Sequence, residues 1–116
     1  MTTKKRALKT ATSRLSKARL AEMIEEATID ACDPSEQAMG WFTMLEEHLE
    51  LPFEAEVLGV SVRVTRIEQR DDDRLVAVCV RARDEQAIGL VDLPLPTPRP
   101  PGAEWIEAYR RWLGGR

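Results

Sequence analysis

The sequence has few of the side chains on which catalytic and metal centres most often depend. It contains two cysteines, Cys32 and Cys79, and one histidine, His48. Two cysteines do not make a disulfide framework, so we expect both to be buried thiols in a reducing compartment. These three positions also lack the spacing of a zinc site. No nucleophile elbow or phosphate-binding loop is present, so the sequence does not predict an enzyme.

Long apolar runs are missing as well. No stretch of 18 consecutive apolar residues occurs, which argues against a membrane-spanning helix. The basic N-terminus is not followed by an apolar segment of the kind found in secretory signals. By elimination we expect a cytoplasmic protein that has no membrane partner.

Two long segments of the chain each lack charges of one sign. Residues 1–19 contain seven basic residues and no acid, whereas residues 20–62 contain eleven acids and no lysine or arginine. Residues 63–116 carry a net charge of +1, and the whole chain of 116 residues carries −3. This segregation predicts two surfaces of opposite charge on one small domain.

The N-terminal segment is predicted to be a flexible basic arm over residues 1–16, followed by a single domain over 17–116. The arm has too few apolar side chains to order itself. It could bind nucleic-acid phosphates non-specifically, but it has no aromatic side chains for stacking on bases. The remaining chain is acidic and would repel a polyanion, so any contact with nucleic acid is expected only through residues 1–16.

Two helices are predicted after the arm. Apolar residues recur at helical spacing over 17–31, and Ser16 is a suitable N-cap. The segment Asp33-Pro34-Ser35-Glu36 resembles a capping box that starts a second helix, which continues to about Leu49. Gly40 is unfavourable inside this helix, and we expect another backbone to pass close to it.

A β-rich segment and a third helix complete the predicted fold. Alternating apolar residues predict strands around a turn at Gly59, then a strand over 75–81 that is partly buried on both faces. Turns are predicted at 71–73 and 84–86, and a further strand at 88–93. A proline-rich connector leads to a helix over 103–113. The expected class is α+β, with an N-terminal helix pair, a small antiparallel sheet or partly open barrel of three to five strands, and a C-terminal helix.

The acidic segment is the candidate functional region. Carboxylates are the ligands that Ca²⁺ prefers, and no side-chain cation in this segment competes for them. An EF-hand is excluded, because the Asp71-Asp72-Asp73 run has Val76 where that loop needs glycine and Ala82 where it needs glutamate. Arg70 and Arg74 flank the run and would neutralise it, so it is interpreted as a solvated turn.

Two stretches, EQAMGWFTMLEEHLELPFEAEVLGV and DLPLPTPRPPGAEWIEAYRRW, resemble the cyanobacterial calcium-binding protein family over roughly residues 22–112. The resemblance implies a small acidic domain that binds Ca²⁺ without an EF-hand and acts as a calcium buffer or sensor. Asp30, Asp33 and Glu36 match the acidic segment of the family. Together with their acidic neighbours, the candidate metal ligands are Glu26, Asp30, Asp33, Glu36, Glu47 and Glu54.

An alternative interpretation is a protein–protein interaction module that has no bound ion. In that case the C-terminal helix, with Trp105, Tyr109 and Trp112 on one face, or the basic arm would dock an unidentified protein partner. The two interpretations differ in a measurable way. Neutral substitutions of Asp30, Asp33 and Glu36 would remove a calcium-dependent gain in stability from a calcium module, but would stabilise a module that ignores calcium.

Overall fold

The computed structural model describes residues 15–114 and forms an α+β domain. Two helices come first, a four-stranded antiparallel sheet follows, and a third helix closes the chain, as the sequence predicted. The helices are α1 (Lys17–Thr28), α2 (Pro34–His48) and α3 (Glu104–Gly114). The strands are β1 (Phe53–Val57), β2 (Val60–Gln69), β3 (Leu75–Arg81) and β4 (Asp84–Gly89).

Helix α1 begins at its predicted cap and ends earlier than predicted. The Ser16 hydroxyl accepts a hydrogen bond of 3.0 Å from the backbone N–H of Arg19. The helix stops at Thr28, and Asp30 adopts a φ of +60°, which turns the chain towards α2. A left-handed aspartate is tolerated because its short side chain can bond locally. The last three residues of the predicted helix therefore belong to the connection between the two helices.

The sheet is a meander in which each strand pairs with the next one along the chain. The β1–β2 turn is at Leu58 and Gly59, and the β2–β3 turn includes Asp71–Asp73, both as predicted. The third predicted turn was misplaced. Strand β4 already begins at Asp84 because Arg81 pairs with it, and the chain turns at residues 82–83. The predicted strand over 88–93 ends at Gly89, and a short 3₁₀ helix occupies Leu90–Asp92.

Strand β3 lies at the centre of the hydrophobic core. Its first five residues, Leu75 to Cys79, are all buried, so both of its faces are covered, in agreement with the prediction. Cys79 is a buried free thiol as expected, and burial raises its pKa. Cys32 is a free thiol that is exposed, which corrects the prediction that both cysteines are buried. It lies in the short loop between α1 and α2, where little packs over it.

Helix α3 packs its aromatic face against α1 and α2. Trp105 and Tyr109 are 3% and 2% exposed, and Trp112 is partly buried against the same core. The Tyr109 hydroxyl accepts a hydrogen bond of 3.2 Å from the backbone N–H of Leu75, which joins α3 to the sheet. The hypothesis that this aromatic face docks a partner is therefore wrong, because the domain itself buries it.

The proline-rich connector wraps the C-terminal end of α2. The backbone N–H of Glu50 donates to the Pro101 carbonyl at 2.9 Å. Gly102 has a φ of +88°, and a β-carbon there would overlap the backbone of His48 and Leu49. Only glycine fits both requirements, because it has no β-carbon and adopts positive φ freely. The connector thereby fixes the position of α3 against α2.

The turn between β1 and β2 is strained at one residue. Leu58 has a φ of +52° and its side chain is 97% exposed, so no packing compensates for the unfavourable conformation. Asparagine adopts positive φ more readily than leucine does. We expect Leu58→Asn to raise the free energy of unfolding by up to about 1 kcal/mol. Urea denaturation measures this change, and an unchanged or lower midpoint would show that the turn is not strained as described.

Two further sequence predictions concern the N-terminal arm and membrane-spanning helices. Residues 1–14 of the predicted arm lie outside the described residues, while Leu15 packs against the core and Ser16 caps α1. The boundary between arm and domain therefore remains a prediction. Within residues 15–114, no helix is both long and apolar enough to cross a membrane.

Candidate calcium site

The loop between α1 and α2 holds two of the predicted ligands in a capping arrangement. Asp33 is the N-cap of α2, and its Oδ1 accepts a hydrogen bond of 2.9 Å from the backbone N–H of Glu36. The Oε1 of Glu36 reaches back and accepts a bond of 2.7 Å from the backbone N–H of Cys32. The capping prediction is confirmed, with Glu36 bonding one residue further back than in a standard capping box. Each carboxylate keeps a second oxygen that could bind a cation.

Asp30 and Glu26 lie before this cap and are both exposed to solvent. Asp30 occupies the connection between the helices, three residues before Asp33. Glu26 is on the last full turn of α1. Neither side chain forms an ion pair within residues 15–114. Both are therefore free to move towards a cation bound at the loop.

A third acidic segment meets this loop through a contact that the sequence analysis missed. The Ser35 hydroxyl donates a hydrogen bond of 2.9 Å to Oδ1 of Asp73, which lies 38 residues further along the chain. The Gln69 side-chain amide donates to the same oxygen at 3.5 Å. Asp73 has a φ of +69°, so the turn presents it in a conformation that few residues adopt. The first turn of α2 and the β2–β3 turn are thus in direct contact.

The two other aspartates of the β2–β3 turn differ in their partners. Asp72 accepts hydrogen bonds from the backbone N–H of Arg74 at 3.1 Å and from its guanidinium at 2.8 Å. These bonds, with the backbone bond the stronger cause, lower the pKa of Asp72. Arg70 pairs with Glu68 at 3.7 Å instead of with the turn. The sequence analysis expected the flanking arginines to neutralise the three aspartates of this turn. Among the two described here, an arginine pairs with Asp72, whereas Asp73 accepts a hydrogen bond from Ser35.

Glu47 and Glu54 lie away from the loop. Helix α2 has 15 residues, and its length of about 22 Å separates Glu47, near the C-terminal end, from Asp33. Glu47 contacts the imidazole of its neighbour His48 at 3.9 Å. Glu54 on β1 is paired across the sheet with Arg63 at 3.2 Å. The six predicted ligands thus occupy at least two regions of the surface, and one ion cannot contact all of them.

The acidic groups at the α1–α2 loop and the β2–β3 turn are not arranged as a finished metal site. Within residues 15–114, no three histidine, cysteine, aspartate or glutamate side chains are already grouped so that they could hold a metal ion. The acidic corner, as we name Asp30, Asp33, Glu36 and Asp73, consists of three exposed side chains and the half-buried Asp73. The three exposed carboxylates can change rotamer with little disturbance of the packing, whereas Asp73 is held by Ser35 and Gln69.

Together these features define a class, a small α+β domain that concentrates carboxylates at a helix–loop corner without an EF-hand. A family model described as calcium binding, named for the protein CcbP, matches residues 21–113. The chain therefore belongs to the CcbP calcium-binding family, which confirms the resemblance seen in the sequence. The family is defined by calcium binding and is not a known family of enzymes.

Two solved structures share the fold. CcbP of Anabaena has 21% sequence identity and a TM-score of 0.65, and the match covers 88% of this chain and 94% of that protein. A calcium-binding protein in its calcium-binding form has 23% identity and a TM-score of 0.68, with 84% and 91% covered. At such low identity these likenesses show the fold alone. No curated protein matches the sequence.

Proposed function

We propose that this chain binds Ca²⁺ at the acidic corner and acts as a calcium buffer or sensor without enzymatic activity. Membership of the calcium-binding family supports the choice of ion. The main support for this location of the site is the hydrogen bond between Ser35 and Asp73, because it brings together two acidic segments that are distant in the sequence. Ca²⁺ takes six to eight oxygen ligands, which a corner of carboxylates, loop carbonyls and water can supply.

The electrostatic balance of the corner favours a divalent cation. The N-terminal end of α2 carries roughly half a positive charge from its dipole, which by itself would repel Ca²⁺. Four carboxylates at Asp30, Asp33, Glu36 and Asp73 outweigh that charge several-fold. In the absence of the ion these carboxylates repel one another, and Ca²⁺ would turn this repulsion into attraction. Binding is expected to draw the loop and the β2–β3 turn closer together.

The other three predicted ligands, Glu26, Glu47 and Glu54, are not part of the acidic corner. Glu26 would supply an outer carboxylate, because it lies in the last turn of α1, four residues before Asp30. Glu47 and Glu54 would serve a separate, weaker ion at the other end of α2. The ion pair of Glu54 with Arg63 is exposed and is worth at most about 1 kcal/mol, so a divalent cation could replace it.

A thermal melt with chelator, with Ca²⁺ and with Mg²⁺ at fixed ionic strength tests the function. An ion that binds only the native state stabilises it by about 2.7 kcal/mol at 100 times its dissociation constant. For a domain of this size each kcal/mol raises Tm by about 4–8 °C. We expect a rise of this order with Ca²⁺ and a much smaller one with Mg²⁺. Equal, small rises with both ions would show only charge screening and would contradict the proposal.

A further inference from the structure

The β1–β2 hairpin extends beyond the rest of the domain. The pairing of β2 with β3 starts at Arg63 and Val80, so residues 60–62 pair with β1 alone within the sheet. The helix layer ends below this point, because α2 stops at His48 and the chain then enters β1 at Phe53. The end of the hairpin is therefore a two-stranded projection, a structure that is only marginally stable without further contacts.

The side of the projection that continues the core is apolar. Side chains alternate along a strand, so Val57 shares the face of Ala55, which is 4% exposed. In the same way Val60 and Val62 share the face of Val64, which is fully buried. Exposure rises towards the tip and reaches 38% at Val60. The core-facing side of the hairpin thus continues past the helices that cover its base.

Leu58 adds a strained and exposed residue to this surface. Its φ is +52° and its side chain is 97% exposed, so no packing contact within the domain offsets the strain. Strained backbone in natural proteins is concentrated at sites that bind or switch. A contact with another molecule accounts for both the conformation and the exposure. We call Val57, Leu58, Val60 and Val62 the apolar hairpin tip.

Charged residues of both signs lie next to the apolar hairpin tip. Arg81 directly follows Val80, where the pairing with β2 ends, and Arg83 is in the adjoining β3–β4 turn. On the side of the helices, Glu46 lies in the last turn of α2 and Glu50 lies just beyond its end. All four charged side chains are exposed, and none of them forms an ion pair within residues 15–114.

We propose that the apolar hairpin tip binds the same surface of a second copy of this chain and forms a two-fold symmetric dimer. A surface that carries both signs of charge is complementary to itself. A two-fold axis between the two charged regions places the arginines of each copy against the glutamates of the other. A partner of uniform charge would be attracted by one region and repelled by the other. The dimer does not depend on bound calcium.

The space above the projection matches the thickness of a second hairpin. Packed sheets lie about 10 Å apart, which is close to the diameter of about 10–12 Å of a helix. The hairpin of the second copy can therefore occupy the layer that the helices leave open. Four apolar side chains from each copy make a small contact, and interfaces below about 1,200 Å² are usually weak. We therefore expect association at high protein concentration.

Sedimentation equilibrium of the full chain, in chelator and at low ionic strength, tests the dimer. From about 10 µM to about 1 mM, a range suited to weak complexes, the average mass of the wild type should rise from one chain towards two. Leu58→Asn should remain monomeric throughout, although we expect its fold to be more stable. A monomeric wild type would overturn the proposal, and so would a Leu58→Asn variant that associates equally well.

Met39→Gln is the matched control for loss of an exposed apolar side chain. Met39 is 58% exposed on α2, and glutamine also favours a helix, so the fold should be unaffected. This variant should associate as the wild type does. If it is as monomeric as Leu58→Asn, association follows general surface hydrophobicity, and the hairpin is not the contact.

Exchanged charges test the two-fold arrangement. One variant carries Arg81→Glu and Arg83→Glu, and the other carries Glu46→Lys and Glu50→Lys, all at exposed positions. Each variant alone should associate about tenfold more weakly or less, because like charges then face each other. An equal mixture of the two should recover the association, since opposite charges meet again. A mixture that associates no better than the separate variants would overturn the proposed arrangement.

Discussion

A Gly40→Ala variant is expected to unfold at a clearly lower urea concentration than the wild-type protein. In most helices this change gains about 1 kcal/mol, because alanine is the better helix former. Here a β-carbon would overlap the carbonyl oxygen of Ala27 and lie 3.2 Å from its carbonyl carbon. The neighbour is backbone, so the only relief is to move α1 away from α2. We expect a net loss of about 1–3 kcal/mol in the free energy of unfolding, the usual cost of overpacking.

Gly114→Ala is the matched control for that variant. Gly114 also lies in a helix, at the last position of α3, but a β-carbon there meets no atom within 4 Å. Its midpoint should stay the same or rise slightly. If the two variants behave alike, the close approach of α1 and α2 at Gly40 does not limit stability. The comparison therefore separates the local preference of the helix from the packing of two helices.

The double variant Asp33→Asn and Glu36→Gln is expected to lose most of the calcium response without losing the fold. Asparagine caps a helix about as well as aspartate, and the glutamine side chain keeps an oxygen for the Cys32 N–H. Stability in chelator should therefore stay the same or rise, because repulsion at the corner falls. The rise in Tm caused by Ca²⁺ should fall several-fold, since two of four carboxylates at the corner are gone.

A double variant in β4 controls for the loss of charge. Asp84→Asn with Glu85→Gln also removes one aspartate and one glutamate, from a surface outside the acidic corner. This variant should keep the full response of the wild type to Ca²⁺. A full response in the Asp33 and Glu36 variant would place the ion elsewhere, with the region of Glu47 and Glu54 as the next to test. Loss of the response in both would indicate a general effect of net charge.

Local sequence signals predicted the helical part of the fold well. The start of α2 follows from Asp33, Pro34 and Glu36, which satisfy free backbone groups within four residues of one another. The role of Gly40 could also be inferred, because glycine inside a helix needs a reason outside that helix. Signals of this kind lie within a single element, so the sequence alone reveals them.

Features that depend on distant residues were harder to predict. The hairpin between β3 and β4 was misplaced because Asp84, Glu85 and Gln86 are typical of a turn, yet pairing with β3 holds them in a strand. The contact of Ser35 with Asp73 joins positions 38 residues apart, and no periodicity or spacing marks it. The acidic corner was therefore predicted only on the α1–α2 side, while its β2–β3 side required the structure.

The aromatic packing described for α3 determines how the protein will behave as a spectroscopic sample. All three tryptophans belong to one cluster, in which the Trp41 ring centroid lies 6.4 Å from Trp105 and 5.7 Å from Trp112. Excitation energy will pass freely among rings this close, so intrinsic fluorescence reports a single average environment. Trp41 is fully buried, and its emission follows the integrity of the core. A calcium titration followed by intrinsic fluorescence will therefore register changes in helix packing, whereas side-chain movement confined to the acidic corner needs a probe placed there.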